Sequence, residues 1–122
     1  MKRHTVTYKA FDVVVVPFPF TDRATTKRRP ALVLSNENTF NRKVGQSVLA
    51  MITSANNSNW PLDTNIQDLD AAGLSSASVV RMKLFTLDDR LIIRKAGQLN
   101  RQDRKATAKV LRKLFDIENQ AD

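Results

Sequence analysis

Val13, Val14, Val15 and Val16 follow one another without a break, between Phe11-Asp12 on one side and Pro17-Phe18-Pro19 on the other. Four consecutive β-branched side chains are stiff at χ1 and suit a pleated strand far better than a helix. Phe11 to Val16 therefore reads as a buried strand, and Pro17 and Pro19 end it because proline has no backbone hydrogen for a ladder.

Thr21 to Arg29 is polar and basic with no hydrophobic period, while Pro30 fixes its own φ and pushes Arg29 toward an extended conformation. The pattern predicts a loop that delivers an arginine onto the start of a second strand, Ala31 to Leu34. Ser47 to Thr53 reads as a third strand beyond the polar segment Asn36 to Gln46. Ser54 to Asn59 is a loop rich in Asn and Ser, closed by Trp60 and Pro61. Leu62 to Ile66 supplies a short fourth strand, and Asp68 to Leu74 a turn or short helical turn. Ser78 to Phe85 and Arg90 to Leu99 are the last strands, with Thr86 to Asp89 as the bend between them. After Asn100 the period changes: Asn100 with Asp103 resembles a capping box, and Ala106, Val110, Leu114 and Ile117 recur at helical spacing. Many short strands followed by one amphipathic helix predict a mainly β fold, a small barrel with helical additions. At 122 residues the chain suits one domain spanning 1–122, with residues 1–10 and 118–122 as flexible ends.

Twenty Lys and Arg against 12 Asp and Glu give a formal charge of +8 and a pI near 10.3, so the field gathers polyanions before any specific contact forms. Nucleic acid is the first partner to test. The absence of cysteine excludes disulfides, thiolate metal sites and a cysteine nucleophile, and suits a reducing cytoplasm. The longest apolar stretch, Val13 to Phe20, is interrupted by two prolines and is too short to span a bilayer. No apolar signal-peptide core follows Met1-Lys2-Arg3-His4, and the expected location is the cytoplasm. His4, the one histidine, lies in a polar N-terminal tail and is given no catalytic part.

The segment Phe11-Asp12-Val13-Val14-Val15-Val16-Pro17-Phe18-Pro19-Phe20-Thr21-Asp22, followed by Lys27-Arg28-Arg29-Pro30-Ala31-Leu32-Val33-Leu34, resembles the opening of the MazF/PemK family of toxins from type II toxin–antitoxin pairs. Ile52-Thr53-Ser54, then Ala72-Gly73-Leu74 with Ser78-Val79-Val80-Arg81, then Phe85-Thr86-Leu87-Asp88 resemble the family's later blocks in the same order, so roughly Phe11 to Leu114 is covered. The resemblance implies an SH3-like barrel, a homodimer, and sequence-selective endoribonuclease activity on single-stranded RNA that needs no cofactor. It also implies a cognate antitoxin whose disordered segment wraps the toxin and blocks the RNA groove. Carried over by position, it makes Arg29 the active-site arginine and Thr53 the catalytic threonine, with Arg81 matching a second arginine used by some members. Where some members place a histidine before the Arg-Pro pair, this chain has Asp22, Arg23, Ala24 and Thr25. Where some place an aspartate two residues after the second arginine, it has Lys83.

Metal-free cleavage uses the substrate's 2′-hydroxyl as nucleophile, so the protein must take its proton, stabilise charge on the phosphate and see the leaving 5′-oxygen protonated. A guanidinium stays charged and offers a planar fork to phosphate oxygens, which suits Arg29, supported by Arg81. A threonine hydroxyl beside the phosphate donates as negative charge develops, the part given to Thr53. Lys27 and Arg28 steer RNA by screened attraction. The proton acceptor is Asp22, or Lys83 with its pKa lowered among cations. Phe20 and Ser54 extend the candidate RNA surface. Trp60, in its polar loop, is equally placed to stack on an unpaired base and to plug a barrel end or a dimer interface. Asp68 with Asp70, and Asp88 with Asp89, fall in predicted turns, where aspartate bonds the backbone, so no metal is expected. Two other readings share the fold: a gyrase poison of the CcdB type, and a catalytically silent SH3-like module that binds nucleic acid or protein. The first uses an aromatic and apolar C-terminal helix end, whereas this chain ends in the polar run Asp116 to Asp122.

Overall fold

The computed structural model describes residues 6–18, 27–57 and 59–117. Strands β1 (Asp12–Pro17), β2 (Arg28–Val33), β3 (Gln46–Ser54), β4 (Thr64–Asn65), β5 (Ser78–Asp88) and β6 (Arg94–Gln98) form one antiparallel sheet in the order β4-β5-β3-β2-β1-β6. The sheet curls into a half-barrel, as the expectation of a small β-barrel required, with β4 and β6 at its open edges.

The valine run explains the two-sided core. Val13 joins Leu32, Ala50, Ile52, Val80 and Met82 on one face, covered by Ile66, Ala72 and Leu99. Val14 and Val16 join Ala31, Val33, Leu49 and Leu87 on the other, covered by Tyr8 and Ile92. Along the valine run the strand is buried on both faces, which favours a continuous apolar sequence, and each fully buried valine contributes about 1.5–3 kcal/mol. Val15 alone of the four is only half-buried.

Several elements depart from the sequence expectation. Arg28 and Arg29 lie inside β2 rather than in the loop before it, since they pair with Pro17 and Val16. The bend expected at Thr86 to Asp89 falls later, in a 3-10 turn over Asp89–Leu91, because β5 stays paired with β3 as far as Gln46–Asp88. The polar segment Asn36 to Gln46 is helical: a π turn over Glu37–Asn41, capped by the Asn36 side chain, runs into α1 (Arg42–Val44). Its buried Asn41 donates to the carbonyl of Tyr8 at 2.9 Å, so part of the expected loose N-terminal end is held against the sheet. Asp68 caps α2 (Leu69–Ala72) by accepting from the amide of Ala71.

Helix α3 (Arg101–Phe115) starts where the sequence placed it, with Asn100 accepting from the Asp103 amide at 2.8 Å. The Asp103 carboxylate does not return to Asn100. It is buried and accepts from the amides of Gln67 and Asp68 at 3.0–3.1 Å, tying the helix to the segment after β4. The packed stripe is therefore Asp103, Thr107, Val110 and Leu111, and the expected Leu114 and Ile117 are exposed.

Across the open edge, α2 meets β6 backbone to backbone. A Cβ on Gly73 would lie 2.1 Å from the Ala96 carbonyl oxygen, and one on Gly97 would lie 2.4 Å from that of Ala71. Gly73 also has φ +73°, a left-handed cap that only glycine adopts without strain. Gly45 shares that conformation, φ +71°, but has open space around it. Gly45→Ala is expected to cost about 1 kcal/mol, the left-handed penalty alone, and Gly73→Ala about 3 kcal/mol, because overpacking is added. Urea unfolding at constant slope measures both, and equal costs would remove the close contact as the cause.

Candidate phosphate-binding cleft

The cleft begins with a missing hydrogen bond. Leu34 donates to the Val48 carbonyl at 2.8 Å, and antiparallel alternation then turns the amide positions of residues 32 and 30 toward β3 as well. Residue 30 is proline and has no hydrogen to give Ile52, and the β2–β3 ladder ends at Ala31–Met51. Counting two residues further along that register sets Arg29 opposite Thr53, where the strands are no longer bonded. Alternation assigns Arg29 and Thr53 to the sheet face of Val16, opposite to that of Val15, Pro30 and Ile52, and both residues border the cleft at the point where the β2–β3 pairing has ended.

The cleft has a volume of about 430 Å³. Val15, Pro30 and Ile52 form its apolar floor, which accounts for the one half-buried valine of the run. Arg28, Arg29 and Arg94 supply positive charge. Thr53, Ser54, Ser75, Ser76 and Ser78 supply hydroxyls, and Gly73, Leu74 and Ala96 complete the wall. Pro17 pairs with Arg28 and Val15 with Arg94, so these two arginines leave the sheet on the same face. Among the described residues no carboxylate lines the cleft. Arg28 and Arg94 on one face, with Arg29 bordering the same cleft and no carboxylate in its described wall, suit an anion.

Two side chains are set by neighbours. The Arg29 guanidinium lies 5.2 Å from the centroid of the Phe18 ring, a cation–π contact that steadies it on the strand. The Thr53 hydroxyl oxygen accepts from the Asn57 amide group, so its own proton is directed to another acceptor. Asn57 is held by its backbone amide on the Ser54 carbonyl at 3.1 Å.

The remaining sequence candidates fall elsewhere. Arg81, expected beside Arg29 at the phosphate, does not line the cleft; its guanidinium grips Asp63 through Nε at 3.1 Å and Nη2 at 2.7 Å. Lys83 lies against the Trp60 ring, 4.9 Å from its centroid. Lys27 is exposed, and its carbonyl accepts from the Phe18 amide at 3.0 Å, closing the end of the β1–β2 pair. Phe20, Asp22 and His4 lie outside the described residues. Of the aspartates in the turns, Asp68 and Asp88 bond locally, while Asp89 reaches across to β3. Asp88 grips Arg90, which holds its carboxyl down at about 2, and Asp89 accepts from the Ser47 hydroxyl at 2.7 Å while burial pushes its pKa up.

Arg94, Asn57 and the serines at 75, 76 and 78 are cleft or support residues that the sequence did not single out. Arg94 reaches the site through pairing between β1 and β6, from opposite ends of the chain, which no local pattern reports. Asn57 stood in view as an Asn four residues after the candidate threonine, a spacing that lets a turn bring the amide back.

A small basic β half-barrel with an arginine- and hydroxyl-lined anion cleft is the class that fold and site define. The family model of PemK-like, MazF-like toxins of type II toxin–antitoxin systems matches residues 9–115, and the chain belongs to that family. Among solved structures it is similar to a MazE–MazF complex from Deinococcus radiodurans, with a TM-score of 0.73 at 22% identity over 93% of this chain and 100% of the other. It is similar to a mycobacterial endoribonuclease in complex with its cognate antitoxin, with a TM-score of 0.71 at 14% identity over 93% and 97%. A third is the Mycobacterium tuberculosis toxin MazF-mt6, with a TM-score of 0.68 at 21% identity over 88% and 99%. Identities this low speak for the fold alone. Comparison with curated proteins gives no match.

If the missing donor of Pro30 opens the cleft, Pro30→Ala should let β2 and β3 pair one step further. The restored bond and the looser unfolded chain offset each other, so stability should change by less than about 1 kcal/mol. Hydrogen exchange should show the residue 30 amide protected, with binding of anions weakened; an unprotected amide and unchanged binding would contradict the account.

Proposed function

We propose that the chain is a toxin endoribonuclease that cleaves single-stranded RNA without a metal, using the substrate's own 2′-hydroxyl. The observation that carries this is that Arg29 and Thr53 border one cleft, level with each other past the last β2–β3 pair, with the threonine proton left to donate by Asn57. The 2′-oxygen attacks the adjacent phosphorus and the bond to the 5′-oxygen breaks, leaving a 2′,3′-cyclic phosphate and a 5′-hydroxyl. Arg29 neutralises the phosphate oxygens as charge builds, and Thr53 donates to one of them. Arg28 and Arg94, on the cleft face, hold the flanking backbone. The proton acceptor is one of the two offered by the sequence, Asp22, which lies outside the described residues, or Lys83, which stands beside Trp60. The 5′-oxygen takes its proton from water, so the step balances without a cofactor.

Family membership extends the proposal to partners. The Deinococcus MazF is seen with MazE, and the mycobacterial endoribonuclease with its cognate antitoxin. For this chain we propose a homodimer and a cognate antitoxin that covers the basic cleft, a net charge of +8 favouring an acidic segment. One observation speaks for the gyrase alternative: the last turn of α3 and the residue after its cap leave Leu114, Phe115 and Ile117 exposed.

Purified protein incubated with a defined single-stranded RNA in EDTA should give fragments ending in cyclic phosphate. Arg29→Ala should abolish them with the fold retained, Thr53→Val should slow them about 100-fold, and Arg94→Ala should raise KM more than it lowers kcat. Intact RNA together with gyrase stalled on DNA would overturn the proposal.

A further inference from the structure

Trp60 is the chain's single tryptophan, and it is 40% exposed. Lys83 Nζ lies 4.9 Å and the Arg81 guanidinium carbon 5.7 Å from its ring centroid. Arg81 and Lys83 leave β5 on one face, two residues apart, and Thr53 opposite Val79 belongs to that same face. Between the Ala50–Leu84 and Met51–Arg81 pairs, β5 carries two extra residues, Met82 and Lys83, and this bulge leaves Lys83 exposed while Arg81 is buried. The turn that presents Trp60 is fixed twice by Asp63, whose amide donates to the Trp60 carbonyl at 3.1 Å and whose carboxylate accepts from Arg81.

The arrangement is a flat aromatic surface held rigid at its base, resting on cations and open on its outer part. From the level of Thr53 at Val79 to Lys83 is about 13 Å along the strand, a distance that a single strand of nucleic acid covers in a few nucleotides. We infer that Trp60 is a stacking shelf for an unpaired nucleobase of the RNA whose scissile phosphate occupies the cleft, with Lys83 meeting the phosphate beside that base. The inference rests on the endoribonuclease reading of the cleft and adds a base subsite to it. Arg81 is a positioning residue of the shelf: through Asp63 it fixes the turn that carries the ring. An indole face accepts any base, so the shelf contributes affinity and register, while sequence choice is left to edge contacts.

Because the chain has one tryptophan, its fluorescence reports the shelf directly. The probe is a short 2′-O-methyl oligoadenylate, which has no 2′-hydroxyl to attack its phosphates, compared with an abasic phosphodiester chain of the same length. Binding is followed in parallel by the anisotropy of a labelled oligonucleotide. The oligoadenylate should quench Trp60 saturably, and the abasic chain should bind without quenching. Trp60→Ala should weaken oligoadenylate binding about 5- to 150-fold, the range for one stacked base, and Trp60→Phe should recover most of it. Oligoadenylate binding that leaves the fluorescence unchanged and is equal in Trp60→Ala would overturn the shelf and leave the endoribonuclease reading standing. A fluorescence change that follows protein concentration rather than oligonucleotide would place the ring between two copies of the chain and likewise overturn the shelf. No binding of either probe, together with RNA left intact by the wild-type protein, would overturn both readings.

Discussion

Pro30 has no amide hydrogen, and the site depends on that absence. In an antiparallel ladder alternate residues bond to the same neighbour, and the bond of Leu34 to Val48 shows that the even-numbered residues of β2 serve β3. At residue 30 the series lacks its donor, and the pairing ends at Ala31–Met51. Arg29 and Thr53 border the cleft at that point, with Val15 and Ile52 on its floor. An ordinary residue at this position would continue the ladder by a bond worth about 1 kcal/mol and close the sheet where the chemistry is proposed.

A second constraint closes the other side of the cleft. The half-barrel is open between β6 and β4, and α2 can reach β6 only because Gly73 and Gly97 carry no side chains. That contact sets the start of the segment from Gly73 to Ser78 as the far wall of the cleft. The buried Asp103 carboxylate, bonded to two amides just before α2, holds the same region from the α3 side. Buried polar groups satisfied in this way fix one arrangement rather than several. The wall hydroxyls are thus placed by packing that lies outside the cleft.

Much of the fold was legible because its signals are local. The valine run, the Asn100 cap, the turn at Asp68 and the strand pattern of β3 each act within a few residues. The proline was read for its effect on Arg29, but the direction of its missing donor depends on which neighbour residue 30 faces, and that follows only from pairing. Arg81 was matched to a second family arginine because it follows Val79-Val80 in a familiar block; its ion pair with Asp63, 18 residues earlier, is a long-range contact that the block does not report. Leu114 and Ile117 obeyed helical spacing, yet the docking face of α3 was settled by a carboxylate, Asp103, which a hydrophobic pattern cannot show. Arg94 was invisible for the plainest reason: its strand neighbour is Val15.

The central claim is that the cleft cuts RNA by turning the substrate's own 2′-hydroxyl on the neighbouring phosphate. The most direct measurement uses an oligoribonucleotide with one cleaved site, in which the 2′-hydroxyl of that single nucleotide is replaced by hydrogen. The account predicts that the substituted strand binds with nearly unchanged affinity and is not cut at that position. Cleavage there at a comparable rate would contradict it, because the nucleophile would then have to come from water or from the protein.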